Sequence, residues 1–130
     1  MLFNEATYNG VSPKSFWILG STLHSSTKYL IEECKVDPSI KNNNGFTPLH
    51  SASTLDIVKY LVEECKVDPN IKDNNESTPL HFASSNGHLD IVKYLVEECK
   101  VDPNIKNKDG DTPLHFASTL DIVEFLTRYC

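Results

Sequence analysis

Thr78-Pro79-Leu80-His81-Phe82-Ala83 decides how this chain is read, because its first four residues recur as Thr47-Pro48-Leu49-His50 and as Thr112-Pro113-Leu114-His115. From Thr47 to Thr78 is 31 residues and from Thr78 to Thr112 is 34, and self-similarity at a period of about 20–50 residues marks a repeat array. Within each copy, threonine stands where a helix N-cap belongs and proline at the first helical position, where its missing N–H costs nothing. An alanine follows two places on, at Ala52, Ala83 and Ala117, and then an Ile-Val pair at 57–58, 91–92 and 122–123. Ile57, Val58, Leu61 and Val62 recur at the spacing of one apolar helix face. Each copy therefore predicts two short antiparallel helices.

The motif resembles the ankyrin repeat, whose signature is T-P-L-H-x-A on a unit of about 33 residues. The resemblance covers residues 12–130 and implies an all-α ankyrin-repeat solenoid of stacked helix-turn-helix units with projecting β-turn fingers. On that reading residues 1–11 form an N-terminal arm and 12–46 a degenerate capping unit. A short repeat at 47–77, a full repeat at 78–111 and a C-terminal capping unit at 112–130 follow. The first unit has no Thr-Pro-Leu-His and carries His24-Ser25-Ser26-Thr27 where the others read Leu-Asp-Ile-Val; an end face must be more polar. Ser12-Pro13 marks its first helix start, and a second helix is expected over 28–34. In the last unit Thr127 replaces Val62 and Val96, and Arg128-Tyr129 replaces Glu-Glu, which reads as a cap.

Only the full repeat has Asn86-Gly87-His88 between its helices, with Gly87 fitted to a left-handed C-cap. The units at 47 and 112 lack those three residues. There Thr54 and Thr119 can cap the second helix, giving a shortened first helix and a tight corner; one continuous bent helix is the competing expectation. Asp37-Pro38, Asp68-Pro69 and Asp102-Pro103 are loop punctuation. The Lys-Val-Asp before each proline carries one residue more than the family's turn.

A formal charge of −6 and a pI near 5.2 argue against nucleic acid, which needs clustered Lys and Arg. The N-terminal residues lack the basic start and long apolar run of a secretory signal, and Phe16-Trp17-Ile18-Leu19 is too short to span a bilayer. The expected location is cytoplasmic or nuclear, with no membrane partner. Cys34, Cys65 and Cys99 follow the same Glu-Glu pair, and Cys130 falls at the matching point. In stacked repeats such positions lie roughly 10 Å apart, beyond the Cα separation of about 4.4–6.8 Å that a disulfide tolerates. Reduced thiols are expected.

Neither catalysis, metal nor cofactor is expected. In the family the motif threonine and histidine bond to each other and to backbone at the helix start, which assigns His50, His81 and His115 a structural role. One His and one Cys per stacked unit cannot converge on a zinc ion. Glu32-Glu33, Glu63-Glu64 and Glu97-Glu98 are adjacent pairs, which on a helix do not face each other; they read as a solvated acidic ridge.

Residues 55–72 and 89–106 are identical over eighteen positions, so individual function belongs where copies differ. The variable positions before the motif are Phe46, Ser77 and Asp111; those after it are Ser51, Phe82 and Phe116. The fingertips vary at Asn43, Asn44, Asn74, Asn75, Glu76, Lys108 and Asp109. The resemblance places all of these along a concave groove that touches a protein partner. Phe46 is the expected anchor, an aromatic on a projecting finger, and Glu76 replaces the glycine of its neighbours. The expected function is a monomeric protein-binding module. A regulatory segment of a larger enzyme or channel, and a repeat protein of purely structural role, are the alternatives.

Overall fold

The computed structural model describes Lys28 and residues 31–129. The expected arm at 1–11, the Ser12-Pro13 helix start and the polar stretch 24–27 lie outside the described residues. The chain divides into two compact units, Met1–Val67 and Asp68–Cys130.

In the first unit the backbone is helical at Lys28, Ile31 and Glu32. Val36 is buried against Ile31, Cys34 and Ile40. Asp37 then turns the chain: its carboxylate accepts the Ser39 N–H at 2.9 Å and its carbonyl the Ile40 N–H at 3.2 Å. Helix α1 spans Pro48–Ser51. Ala52 leaves it in extended backbone, and helix α2 begins at once over Leu55–Lys59. The Thr54 hydroxyl caps α2 by accepting the Ile57 N–H at 3.3 Å. The short corner therefore keeps two helices with a shortened first one, and the continuous bent helix is not formed. Leu49, Ile57, Val58 and Leu61 are each 2% exposed or less and make the core; full burial of such a side chain is worth about 1.5–3 kcal/mol.

Helix α2 runs on as a π-helical turn, Tyr60–Glu64. The Cys65 N–H reaches back to the Tyr60 carbonyl at 3.1 Å, and the Val67 N–H to the Leu61 carbonyl at 3.0 Å. Between them Lys66 sits in left-handed backbone with φ +60°. The additional residue expected in the Lys-Val-Asp turn is thus taken up inside the helix, by bonding of i to i−5.

The second unit holds α3 (Pro79–Ser85), α4 (Leu89–Lys93) with its own π turn at Tyr94–Glu98, α5 (Pro113–Phe116) and α6 (Leu120–Thr127). Helix α3 ends as expected at Gly87, φ +77°. The His88 N–H returns to the Ala83 carbonyl at 3.0 Å and the Gly87 N–H to Ser84 at 3.4 Å, a Schellman closure. At the shortened corner after α5, Thr119 caps α6 through the Ile122 N–H at 3.3 Å. Helix α3 packs on α5, and α4 on α6, around Leu80, Val92, Leu95, Ile122 and Leu126, each 1% exposed or less. No strand occurs among the described residues.

Candidate protein-binding face

Three fingers precede the three motifs, and the side chain of a single Asn or Asp holds each of them. In the finger at 42–46 the Asn42 side chain accepts the N–H groups of Asn44 and Phe46, at 2.9 and 3.0 Å. Its backbone closes the loop through Asn42 N–H to Phe46 carbonyl at 3.0 Å. Asp73 does the same for Asn75 and Ser77, at 2.8 and 2.9 Å, and Asn107 for Asp109 and Asp111, both at 3.0 Å. Side chains of this type lock turns by mimicking backbone. Sequence reasoning did not single these residues out; their signal was an Asn or Asp five places before each motif threonine. The position before the last finger residue is left-handed in all three: Gly45 at φ +80°, Glu76 at +60° and Gly110 at +81°. Glu76 holds the angle that its neighbours give to glycine, and the middle finger bends like the others.

In the second unit the fingers at 73–77 and 107–111 are joined. The Lys108 N–H donates to the Asn75 carbonyl at 2.9 Å and Lys108 Nζ to the Asn74 carbonyl at 3.3 Å. Asn75 Nδ2 donates to Asp109 Oδ2 at 3.2 Å, and Asn107 Nδ2 to the buried Ser77 Oγ at 3.2 Å. Asn74, Asn75, Lys108 and Asp109 are exposed, yet these bonds make them part of the frame.

Behind that frame Ser77, Phe82 and Phe116 come together with His81 and Ser85 around a small cavity of about 70 Å³. Phe82 and Phe116 are part-exposed. The His81 ring meets Phe116 edge to face, with centroids 5.6 Å apart. Asp111 stands part-exposed, with its carboxylate 3.9 Å from His115 Nδ1. Three of the variable positions therefore line one cavity, and His81 and Ser85, not expected there, complete its wall.

The first unit treats its variable residues differently. Phe46, the expected anchor, is part-exposed like Phe82 and Phe116, and its ring lies 6.2 Å from that of His50. Exposing an aromatic on a finger is unfavourable, and packing on the motif histidine removes that cost. The Ser51 hydroxyl turns back to donate to the Pro48 carbonyl at 3.3 Å. Asn43 and Asn44 are exposed at the tip.

The motif histidines are engaged at the helix starts that follow them. Nδ1 of His50, His81 and His115 accepts the N–H of Thr47, Thr78 and Thr112 at 3.0, 3.1 and 2.8 Å, the reciprocal half of a capping box. Burial pushes His81 below the ordinary histidine value, opposed in part by its bond to the Asp111 carbonyl and by the Asp73 charge. A base needs a lone pair facing solvent or substrate, and this one faces a helix start. Cys34, Cys65 and Cys99 are reduced thiols, and burial raises Cys65, offset in part by its hydrogen bond with Tyr60; a raised thiol is a poor nucleophile. Tyr60 is held above the usual tyrosine range, by burial first and then by Cys65 and Glu32. Its hydroxyl donates to Glu32 Oε1 at 3.1 Å. Among the described residues no His, Cys, Asp or Glu cluster could hold a metal ion. No helix among them is long and apolar enough to cross a membrane.

A larger cleft of about 440 Å³ lies on the outer helices of the first unit, lined by Lys28, Glu32, Asp56, Lys59, Tyr60, Glu63 and Glu64. Lys28 and Glu32 approach within 4.0 Å there. Opposite charges in water gain little from one another, and such a wall resembles ordinary solvated surface. The smaller pocket at Phe82 and Phe116 is the more apolar of the two.

A family model described as ankyrin repeats (3 copies) matches residues 17–73 and 53–130. The chain belongs to the ankyrin-repeat family. Its fold class is accordingly the all-α ankyrin-repeat solenoid. No curated protein matches the chain. Ankyrin repeats are generally protein-interaction modules.

Proposed function

We propose that this ankyrin chain is a non-catalytic protein-binding module. Its partner seats an apolar side chain in the pocket of Ser77, His81, Phe82, Ser85 and Phe116. The observation that carries this is the pairing of part-exposed Phe82 and Phe116 on a frame already fixed by hydrogen bonds. Aromatic side chains in a pocket are favoured anchors at interfaces, and a surface ordered in advance loses little freedom on binding. The closed-off lone pairs of the motif histidines and the raised Cys65 thiol support a role without catalysis. Reduced thiols fit a cytoplasmic or nuclear setting.

The test is photocrosslinking in cells, with a photoreactive phenylalanine analogue at position 82 and, as a control on the outer helix, at position 98. A partner adduct from position 82 is expected, absent from position 98 and lost on Phe116→Ala in a variant whose unfolding midpoint shows it folded. Adducts of equal strength from both positions would overturn the proposal.

A further inference from the structure

Charge beside the pocket of Phe82 and Phe116 narrows the kind of partner that fits it. The fingers at 73–77 and 107–111 carry four carboxylates, Asp73, Glu76, Asp109 and Asp111, against one cation, Lys108. The finger at 42–46 of the first unit has no charged residue. Negative charge is therefore gathered on the two fingers that frame the aromatic pair.

These groups differ in what they already hold. Asp73 is buried, and its carboxylate accepts the N–H groups of Asn75 and Ser77 at 2.8 and 2.9 Å. Asp109 accepts Asn75 Nδ2 at 3.2 Å, and Lys108 Nζ donates to the Asn74 carbonyl at 3.3 Å. The Asp111 side chain is 42% exposed, and among the described residues no lysine or arginine pairs with it. His115 Nδ1 lies 3.9 Å from its carboxylate but accepts the Thr112 N–H at 2.8 Å. A ring nitrogen in that role has no proton to offer a carboxylate.

Asp111 is also tied to the pocket wall. Its carbonyl accepts His81 Nε2 at 3.0 Å and the Asn107 N–H at 2.9 Å, and its own N–H donates to Asn107 Oδ1 at 3.0 Å. His81 lines the pocket and its ring meets that of Phe116. One imidazole thus holds both the apolar wall and the backbone that carries the open carboxylate. Burial lowers His81 most, and the Asp73 and Asp111 charges act in the opposite sense, so both are felt at that wall.

Taking the pocket as the partner's anchor site, we propose that the partner segment carries an arginine or lysine within a few residues of its apolar anchor. The anchor fills the pocket while the cation pairs with Asp111. Arginine is favoured over lysine, since its fork can meet both oxygens of a carboxylate. An acidic segment is rejected, because it would set like charges against Asp111. A charge at the edge of an interface acts on the association rate and its salt dependence more than on the lifetime of the complex. Phe82 and Phe116 then decide which segments stay, and Asp111 which segments arrive.

The test screens a phage-displayed library of random dodecapeptides on the full chain and, in parallel, on Phe82→Ala and Phe116→Ala chains whose unfolding midpoints show them folded. Peptides enriched on the original chain alone are expected to join an aliphatic or aromatic residue to a nearby arginine or lysine. Made synthetically, they should bind the Asp111→Asn chain about fivefold more weakly at low salt, through a slower association rate in surface plasmon resonance. The difference should shrink as salt is added, and Asp111→Glu should keep most of the affinity. The Asp111→Asn unfolding midpoint should stay close to the original, because backbone atoms make the bonds to His81 and Asn107. Enriched peptides that lack a cation, or cationic ones that bind the original and Asp111→Asn chains equally, overturn this proposal; if the Phe→Ala chains lose them, the pocket still stands. Peptides held equally by the Phe→Ala chains, or no enrichment over those chains, overturn the pocket reading and this proposal with it.

Discussion

The ring of His81 joins two repeats: Nδ1 accepts the Thr78 N–H at 3.1 Å, and Nε2 donates to the carbonyl of Asp111, thirty residues away, at 3.0 Å. One imidazole in a single tautomer closes a helix start on one side and holds the next finger on the other. His115 has the first bond, at 2.8 Å, and among the described residues lacks the second. His81→Ala should therefore leave a buried N–H and a carbonyl unsatisfied, each costing about 1–3 kcal/mol, whereas His115→Ala should cost about 1 kcal/mol, the ordinary worth of a cap. Urea midpoints of the two variants check this, and equal losses would contradict it.

The same bonds set a pH dependence. His81 is depressed below 6.5, mainly by burial, so the unfolded chain binds a proton there more readily than the folded one. Stability is fully present above pH 6.5 and is lost as pH falls from 6.5 through the folded value. Protonation at Nδ1 also removes the acceptor for the Thr78 N–H. Asp73 and Asp111 are the charged groups that oppose the shift. Urea unfolding at a series of pH values from 7.5 to about 5 should show this fall. In the His81→Gln chain the fall should be smaller, and an unchanged slope would assign it to other groups.

What could be read from sequence was local. Thr-Pro fixes a helix start through bonds within four residues, Gly87 a helix end, and Thr54 and Thr119 the short corners; all four read correctly because the cause and the effect are neighbours in the chain. The π turns at Tyr60–Glu64 and Tyr94–Glu98 were misplaced into the following loop, since an additional residue leaves no mark of where the helix absorbs it. The contact of the Phe46 ring with His50 was not legible, because it depends on finger geometry. The pocket was half legible. Variation singled out Ser77, Phe82 and Phe116, but His81 looked fully accounted for by its cap, and Ser85 carries no signal of its own.

The tight corners rest on single hydroxyls. Thr54 and Thr119 each accept one helical N–H, from Ile57 and Ile122, both at 3.3 Å. With only Ala52-Ser53 or Ala117-Ser118 between motif helix and cap, no glycine is present to relax the turn. Thr54→Ala and Thr119→Ala should each cost about 1 kcal/mol, while Thr→Asp at either site should be nearly neutral, since aspartate caps as well. Thermal or urea unfolding measures both. A loss in the Asp variants equal to that of Ala would show that threonine acts there through packing.

Left-handed backbone gives the chain room for improvement at one finger and none at a corner. Glu76 holds φ +60° where a side chain costs about 1–2 kcal/mol. Glycine returns part of that gain through the freedom of the unfolded chain, about 0.4–1 kcal/mol. Glu76→Gly should therefore stabilise by about 0.5–1 kcal/mol. Lys66→Gly and Lys100→Gly, at φ +60° and +58°, should gain less, because lysine at a helix C-terminus is favoured by the dipole. The opposite substitutions separate strain from contact. Gly110 at φ +81° has nothing within 4 Å of an added Cβ, whereas at Gly87 the Ser118 Oγ and Thr119 Cγ2 would each lie 3.3 Å away. Gly110→Ala should cost about 1 kcal/mol, the backbone angle alone, and Gly87→Ala measurably more, because the α5–α6 corner packs against it. Equal costs in urea unfolding would mean that the corner gives way freely.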